Sequence, residues 1–129
     1  FYYNGTGVGS IQNSSTATVF STTSDYRLKN NLEPILGAID RLKRLNPIRF
    51  NWISEPEQEK VDGFLAHEVA EVVPESITGK KDAVNEDGDI EPQGIDQSKL
   101  VPLLAAALQE AIAKIETLEN EVAQLKGIN

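Results

Sequence analysis

Hydrophobic and polar residues follow three different patterns along the chain. In residues 1–23 the β-formers Tyr2, Tyr3, Val8, Ile11, Val19 and Phe20 are spaced among Ser, Thr, Gly and Asn, with no charge at all. Aromatic and β-branched residues in this spacing fit short strands better than solvated coil. They are too few to bury a core alone, so the segment is expected to pair with other chains. At Ser24-Asp25 the composition changes abruptly to a charged, patterned sequence. Leu32, Ile35, Leu36, Ile39, Leu42 and Leu45 follow helical spacing. Pro34 suits a first helical turn, Glu33 suits the positive end of the dipole, and Asn46-Pro47 ends the helix. Ile48 to Trp52 alternates apolar and polar residues, which predicts a half-buried strand. After a polar loop over Ser54–Lys60, Val61 to Ala66 is a second strand leading into a helix from His67 to Val73, stopped by Pro74. Ser76-Ile77-Thr78 and Ala83-Val84-Asn85 fit short strands, and Glu86-Asp87-Gly88-Asp89 fits a turn.

The third pattern runs from Gln97 onward and predicts one long helix to residue 129. Val101, Leu104, Leu108, Ala111, Ile115, Leu118, Val122 and Leu125 recur at spacings of three and four. With Val101 as position a, this is a heptad repeat with Val, Leu, Ile, Val at a and Leu, Ala, Leu, Leu at d. In a parallel pair of copies Lys114 would face Glu119, and Glu121 would face Lys126, so self-association is electrostatically permitted. The competing arrangement is a helix packed on its own domain. The narrow stripe favours self-association. Val and Ile at a with Leu at d lean towards two strands, while Ile112 at e widens the seam for a third, and the pattern leaves the number open.

The chain has 129 residues, Asp+Glu 20, Lys+Arg 12 and a formal net charge of −8. That length supports one modest domain, or a small globular part with an extended part. Aromatic content is 6%, so the core must be mostly aliphatic. The acidic balance argues against nucleic acid and against an anionic membrane surface as partner. The absence of cysteine excludes disulfides, zinc–thiolate sites and Cys nucleophiles. The longest apolar stretch, Leu100–Leu108, is too short to span a bilayer, and no signal-peptide pattern opens the sequence. With Phe1 in first place, the sequence is expected to be a piece of a longer protein.

Candidate chemistry is sparse. The sole histidine, His67, beside Glu68, fits capping or packing better than a triad, and no second His supports a metal site. The acidic run Asn85–Glu91 has its Gly misplaced for a calcium loop and fits a turn. Gly5, Gly7 and Gly9 lack the strand–turn–helix setting of a phosphate cradle. Arg41, Lys43 and Arg44 fit a solvated face or subunit salt bridges. Ser24 with Lys29 remains: such a pair can work without His when the Lys is held neutral by desolvation or a nearby cation. The spacing alone is a weak signal, and a polar turn is its plain alternative.

Four stretches in order carry a more specific signal. Ser24-Asp25-Tyr26-Arg27-Leu28-Lys29-Asn30-Asn31-Leu32 resembles the opening motif of the C-terminal intramolecular chaperone domains of bacteriophage tail spikes and fibres, the endosialidase-type auto-processing domains. Leu45–Trp52 is similar to that family's helix-to-strand step, Gly63–Val69 to its G-x-x-A-Q-E-V motif, and Gly94–Leu104 to its lead into the C-terminal helix. His67 stands where Gln is usual, and Gln97 where Tyr is usual. The resemblance covers residues 24–129, and Gly7–Ile11 resembles fibre sequence that precedes such domains.

The resemblance implies an α+β fold in three parts. Residues 1–23 would be the end of a β-structured fibre shaft, 24–96 the chaperone's globular region, and 97–129 the helix of a homotrimeric coiled coil. A helix of about 30 residues spans about 45 Å, so the trimer is expected to be elongated. The implied function is to bring three fibre, spike or appendage chains into register, assist folding, and then cut at Thr23–Ser24. Ser24 would be the nucleophile and Lys29 the general base, with Asp25 and Arg27 as support. No cofactor, metal, nucleic acid or membrane is implied. Assembly would take place in the host-cell cytoplasm. The upstream fibre would go to the virion tail or neck, and the chaperone would be released. The first competing expectation is a non-catalytic trimerisation or attachment tip retained on the fibre. A helical partner-binding module is a further one, and an independent enzyme the weakest.

Overall fold

The computed structural model describes residues 1–127, so the last two positions of the expected 97–129 helix lie outside the described residues. The chain divides into two compact units, Phe1–Pro34 and Ile35–Asn129. Its mixture of short strands and helices is α+β.

The first unit is built from two hairpins. Strands β1 (Tyr2–Tyr3) and β2 (Thr6–Gly7) pair antiparallel around Asn4 and Gly5, whose φ values of 48° and 78° are the left-handed conformations of a tight hairpin turn. Strands β3 (Gly9–Asn13) and β4 (Thr18–Thr22) pair antiparallel from Gly9 opposite Thr22 to Asn13 opposite Thr18. The Ser14 side chain closes their turn by accepting from Thr16 N and Ala17 N at 3.3 and 3.2 Å. Ile11 and Phe20 sit opposite each other, yet remain 56% and 75% exposed. The short strands expected in residues 1–23 are therefore present, with their apolar side chains uncovered.

The second unit contains α1 (Ala38–Leu42), the pair β5 (Ile48–Phe50) and β6 (Val61–Gly63), α2 (Ala66–Ala70), the pair β7 (Ile77–Thr78) and β8 (Gly94–Ile95), and α3 (Val101–Gly127). Its core is small and aliphatic. Ala38, Val69, Val72, Val73, Leu100, Leu103 and Ala107 are buried, with Ile39, Leu42, Leu45, Phe64, Ile77 and Ile95 packed around them. Val73 is completely buried. A Val73→Ala variant is expected to lose about 2 kcal/mol of stability through lost burial and an unfilled cavity. Urea unfolding at fixed protein concentration checks this, because any self-association links stability to concentration.

The helix expected over Leu32–Leu45 forms only from Ala38 to Leu42. Asn31 (φ 49°) and Gly37 (φ 63°) take left-handed conformations that interrupt a helix on either side of Pro34. Leu32 and Leu36 are 75% and 78% exposed, whereas Ala38, Ile39, Leu42 and Leu45 pack into the core. The other elements match the pattern with shorter bounds. The expected strand at residues 83–85 is reduced to a single bridge between Val84 and Ile90 around the turn at Gly88.

The long helix also begins differently. Asp96 accepts from Ser98 N and Ser98 Oγ at 3.0 and 2.6 Å, and caps a 3₁₀ turn over Gln97–Leu100. The α-helix follows from Val101, with Pro102 in its first turn, where a missing N–H is tolerated. Leu103 and Ala107 face the core, and Glu110 Oε2 accepts from Ile39 N at 3.2 Å, tying α3 to the start of α1. Helix α3 therefore packs on its own domain through one face. The expected heptad positions stay open on another: Val101, Leu104, Leu108, Ile115, Leu118, Val122 and Leu125 are all exposed, as is Ile112, and Ala111 is half-buried.

Candidate active site

The site grows from the junction between strand β4 and a single helical turn. Just past β4, Thr23 still follows the strand. Its N–H donates to Val8 O at 3.0 Å and its Oγ1 donates to Gly7 O at 3.0 Å. Asp25 then starts the turn in an extended conformation, and its Oδ1 accepts from Arg27 N at 2.9 Å. The turn over Tyr26–Leu28 closes through Leu28 N to Asp25 O and Lys29 N to Tyr26 O, both 3.1 Å. Winding the chain through one 3₁₀ turn reverses it enough to bring residue 29 back over residue 24. The Lys29 ammonium donates to Ser24 Oγ at 2.7 Å and to Ser24 O at 3.3 Å.

Arg27 and Asp25 lock this turn. The guanidinium donates from Nε to Oδ1 at 3.0 Å and from Nη2 to Oδ2 at 2.7 Å. The Arg27 side chain, its backbone N–H and, more weakly, the Lys29 charge hold the Asp25 carboxyl below its ordinary range. The same pairing raises Arg27, which stays charged. Arg27 is thus engaged with Asp25, and its effect on Lys29 comes through the shape of the turn. Ser24 and Lys29 are both exposed in the single chain.

Chemically, a hydroxyl and an amine at this separation form a nucleophile and base within direct proton-transfer reach. The Ser24 hydroxyl belongs to the residue after the Thr23 carbonyl, so its own upstream peptide bond is the nearest acyl group by covalent geometry. The structure brings Thr23, Ser24, Asp25, Arg27 and Lys29 into one segment of the first unit. The attachment of Thr23 to Gly7 and Val8 is not readable from sequence, because it depends on the register set by the Ser14–Ala17 turn.

Among the remaining candidates, the basic residues and the acidic run have structural partners. His67 is half-buried in the first turn of α2. Arg41 and Arg44, expected on a solvated or intersubunit face, donate instead to Val72 O at 2.8 Å and Glu71 O at 3.1 Å, capping the end of α2. Asn85 Oδ1 accepts from Asp87 N and Asp89 N at 3.0 and 2.9 Å, so the acidic run is a closed turn.

Residues 24–78 match the family model described as chaperone of endosialidase. The match begins at Ser24 and contains three of the four stretches that carry the sequence resemblance, from Ser24–Leu32 through Leu45–Trp52 to Gly63–Val69. The chain is also similar to the long tail fiber protein Gp37 of Enterobacteria phage K3, at 26% identity over 102 residues, covering 77% of this chain and 8% of that protein. The Gp37 of Enterobacteria phage T2 shows the same 26% identity over 102 residues, with 7% of its length covered. The chain thus spans less than a tenth of the length of these curated relatives.

Proposed function

We propose that this chain is an intramolecular chaperone at the C-terminal side of a phage tail fibre, spike or appendage. It assembles three copies through α3, assists folding of the upstream shaft, and then detaches by cutting Thr23–Ser24. The physical need is plain. Interleaved strands from separate chains have non-local contacts and a large closure entropy. A helical seam that forms first raises the effective concentration of the three shaft ends. The exposed heptad stripe on α3 and the uncovered apolar residues of the first unit support this reading. Assembly would take place in the host-cell cytoplasm, with the fibre ending on the virion.

The observation that carries self-cleavage is the 2.7 Å approach of Lys29 Nζ to Ser24 Oγ, directly after the hairpin unit. With Lys29 unprotonated, the hydroxyl gives its proton to Nζ and Oγ attacks the Thr23 carbonyl carbon. The peptide C–N bond breaks, and the departing Ser24 nitrogen takes the proton back from Lys29. An ester now joins Thr23 to Ser24 Oγ. Water adds to it and breaks the C–O bond, leaving a Thr23 carboxylate, the Ser24 hydroxyl and a free Ser24 amine. The exposure of Ser24 gives water access to this ester.

Intact mass of the purified chain with its upstream shaft, beside a Ser24→Ala variant, tests the reading. The normal chain is expected to split between Thr23 and Ser24 and the variant to stay whole. If both stay whole while folded and trimeric, the domain is a retained, non-catalytic trimerisation tip.

A further inference from the structure

We propose that the second unit carries an intersubunit contact separate from α3, in which the loop between β5 and β6 of one copy docks into the cavity beside α2 of the next. This rests on the assembly reading above and adds a defined contact between globular regions, which the α3 stripe does not contain. The loop is ordered by its own bonds. Glu55 N donates to Trp52 O at 3.0 Å, Gln58 N donates to Glu55 O at 3.2 Å, and Asn51 Nδ2 donates to Gln58 O. The strands that carry it are braced by the two bonds of Arg49 to Asp62, at 2.7 and 3.0 Å, and the Phe50 ring meets Trp52 edge-on. A loop ordered in advance loses little further freedom on binding. Its side chains nevertheless have no partner. Ile53 is 99% exposed, and Glu55, Glu57 and Glu59 are exposed and form no ion pair among the described residues.

The cavity has a volume of about 390 Å³ and lies where α2 gives way to β7. Ala70, Pro74 and Ile77 supply apolar lining, and Lys80 and Lys81 outnumber the one acid, Glu71. Gly79, at φ 80°, turns so tightly that a Cβ there would lie 3.3 Å from Gln93 Cα, which fixes where the two lysines begin. Neither lysine forms an ion pair among the described residues. The two surfaces match: an uncovered isoleucine followed by carboxylates, and an apolar hollow edged by ammonium groups. A buried apolar anchor supplies most of the strength of such a contact, and charges around it set orientation. Symmetry decides the occupant. Three copies around one axis meet head to tail, so each offers two different, complementary patches. This chain has both, and its own fold uses neither.

The chain contains no cysteine, so an introduced pair makes the only possible disulfide. Glu57→Cys with Lys81→Cys is made in the Ser24→Ala chain, so that the result does not depend on cutting. Both positions are exposed and lie outside the core. After oxidation with copper phenanthroline, a denaturing non-reducing gel is expected to show mainly a covalent three-copy species. Each single-cysteine chain is expected to run as one copy. Adding Lys80→Glu to the pair is expected to slow linkage several-fold, and adding Glu55→Lys beside it to restore the rate. A double-cysteine chain that sediments as a trimer but runs as one copy after oxidation would overturn the inference and leave assembly through α3 standing. So would equal linkage in single- and double-cysteine chains, or a Lys80→Glu rate equal to that of the pair alone. A normal chain that sediments as a monomer would remove the assembly reading, and this inference with it.

Discussion

A Lys29→Met chain is expected to fold and assemble like the normal protein and to leave the Thr23–Ser24 bond whole. Methionine keeps much of the aliphatic stem but removes the amine that lies 2.7 Å from Ser24 Oγ. An unassisted serine hydroxyl is a poor nucleophile near neutral pH, so loss of the base should slow cutting by at least about a hundred-fold. Lys29→Arg separates two roles. Arginine still donates hydrogen bonds and carries charge, but it does not lose its proton in the working range. Both variants are therefore expected to stay uncut by intact mass. Normal cutting by Lys29→Arg would mean that Lys29 serves as a charge that holds Ser24, and another group would have to take the hydroxyl proton. The Asp25–Arg27 contacts should survive in either variant, because they do not involve the Lys29 side chain, and Lys29→Met removes only the weaker charge contribution at Asp25.

The second large effect is expected from the exposed stripe of α3. Replacing Ile115 and Leu118 together by glutamate should convert an associating chain into a monomer, read by sedimentation equilibrium. The two side chains are 54% and 58% exposed in the single chain, and neither belongs to the aliphatic core around Leu103 and Ala107. The fold of each copy should therefore survive. Burying an Ile or Leu side chain contributes about 1.5–3 kcal/mol, and a charge at the same place in a shared apolar seam opposes burial more strongly still. Two positions repeated in three copies would remove on the order of 10 kcal/mol from a trimer by the same measure. A normal chain that sediments as a monomer would refute the assembly proposal, and an unchanged oligomer in the variant would place the interface on another face. Ile112, 46% exposed, lies beside the a and d positions and widens the stripe.

Much of the local structure was legible because its causes are local. The heptad spacing from Val101 to Leu125 anticipated a continuous helix, and alternation at Ile48–Phe50 anticipated a strand. Asp87-Gly88 anticipated a turn, and Gly88 takes a φ of 85°. The jump in composition at Ser24 marked the start of the turn that carries the Ser–Lys pair and the start of the family match. Helix α1 was overextended because periodicity counts apolar residues without asking whether the backbone between them permits a helix. Pro34 suits a first helical turn, and the break comes from the left-handed conformations of Asn31 and Gly37.

Residue order alone was enough to show which side chains could form a narrow apolar stripe, that Ser24 and Lys29 stand close along the chain, and that the core must be aliphatic. Which face of α3 meets its own domain was set by packing alone. Leu103, Ala107 and Glu110 meet it, while Val101, Leu104 and Leu108 remain free. Packing also decided that Arg41 and Arg44 cap α2, that Ile77–Thr78 pairs with Gly94–Ile95, and that Thr23 is bound to Gly7. The division has one physical reason. Periodicity and turn chemistry act over a few residues, whereas these contacts join distant segments and depend on how several elements pack at once.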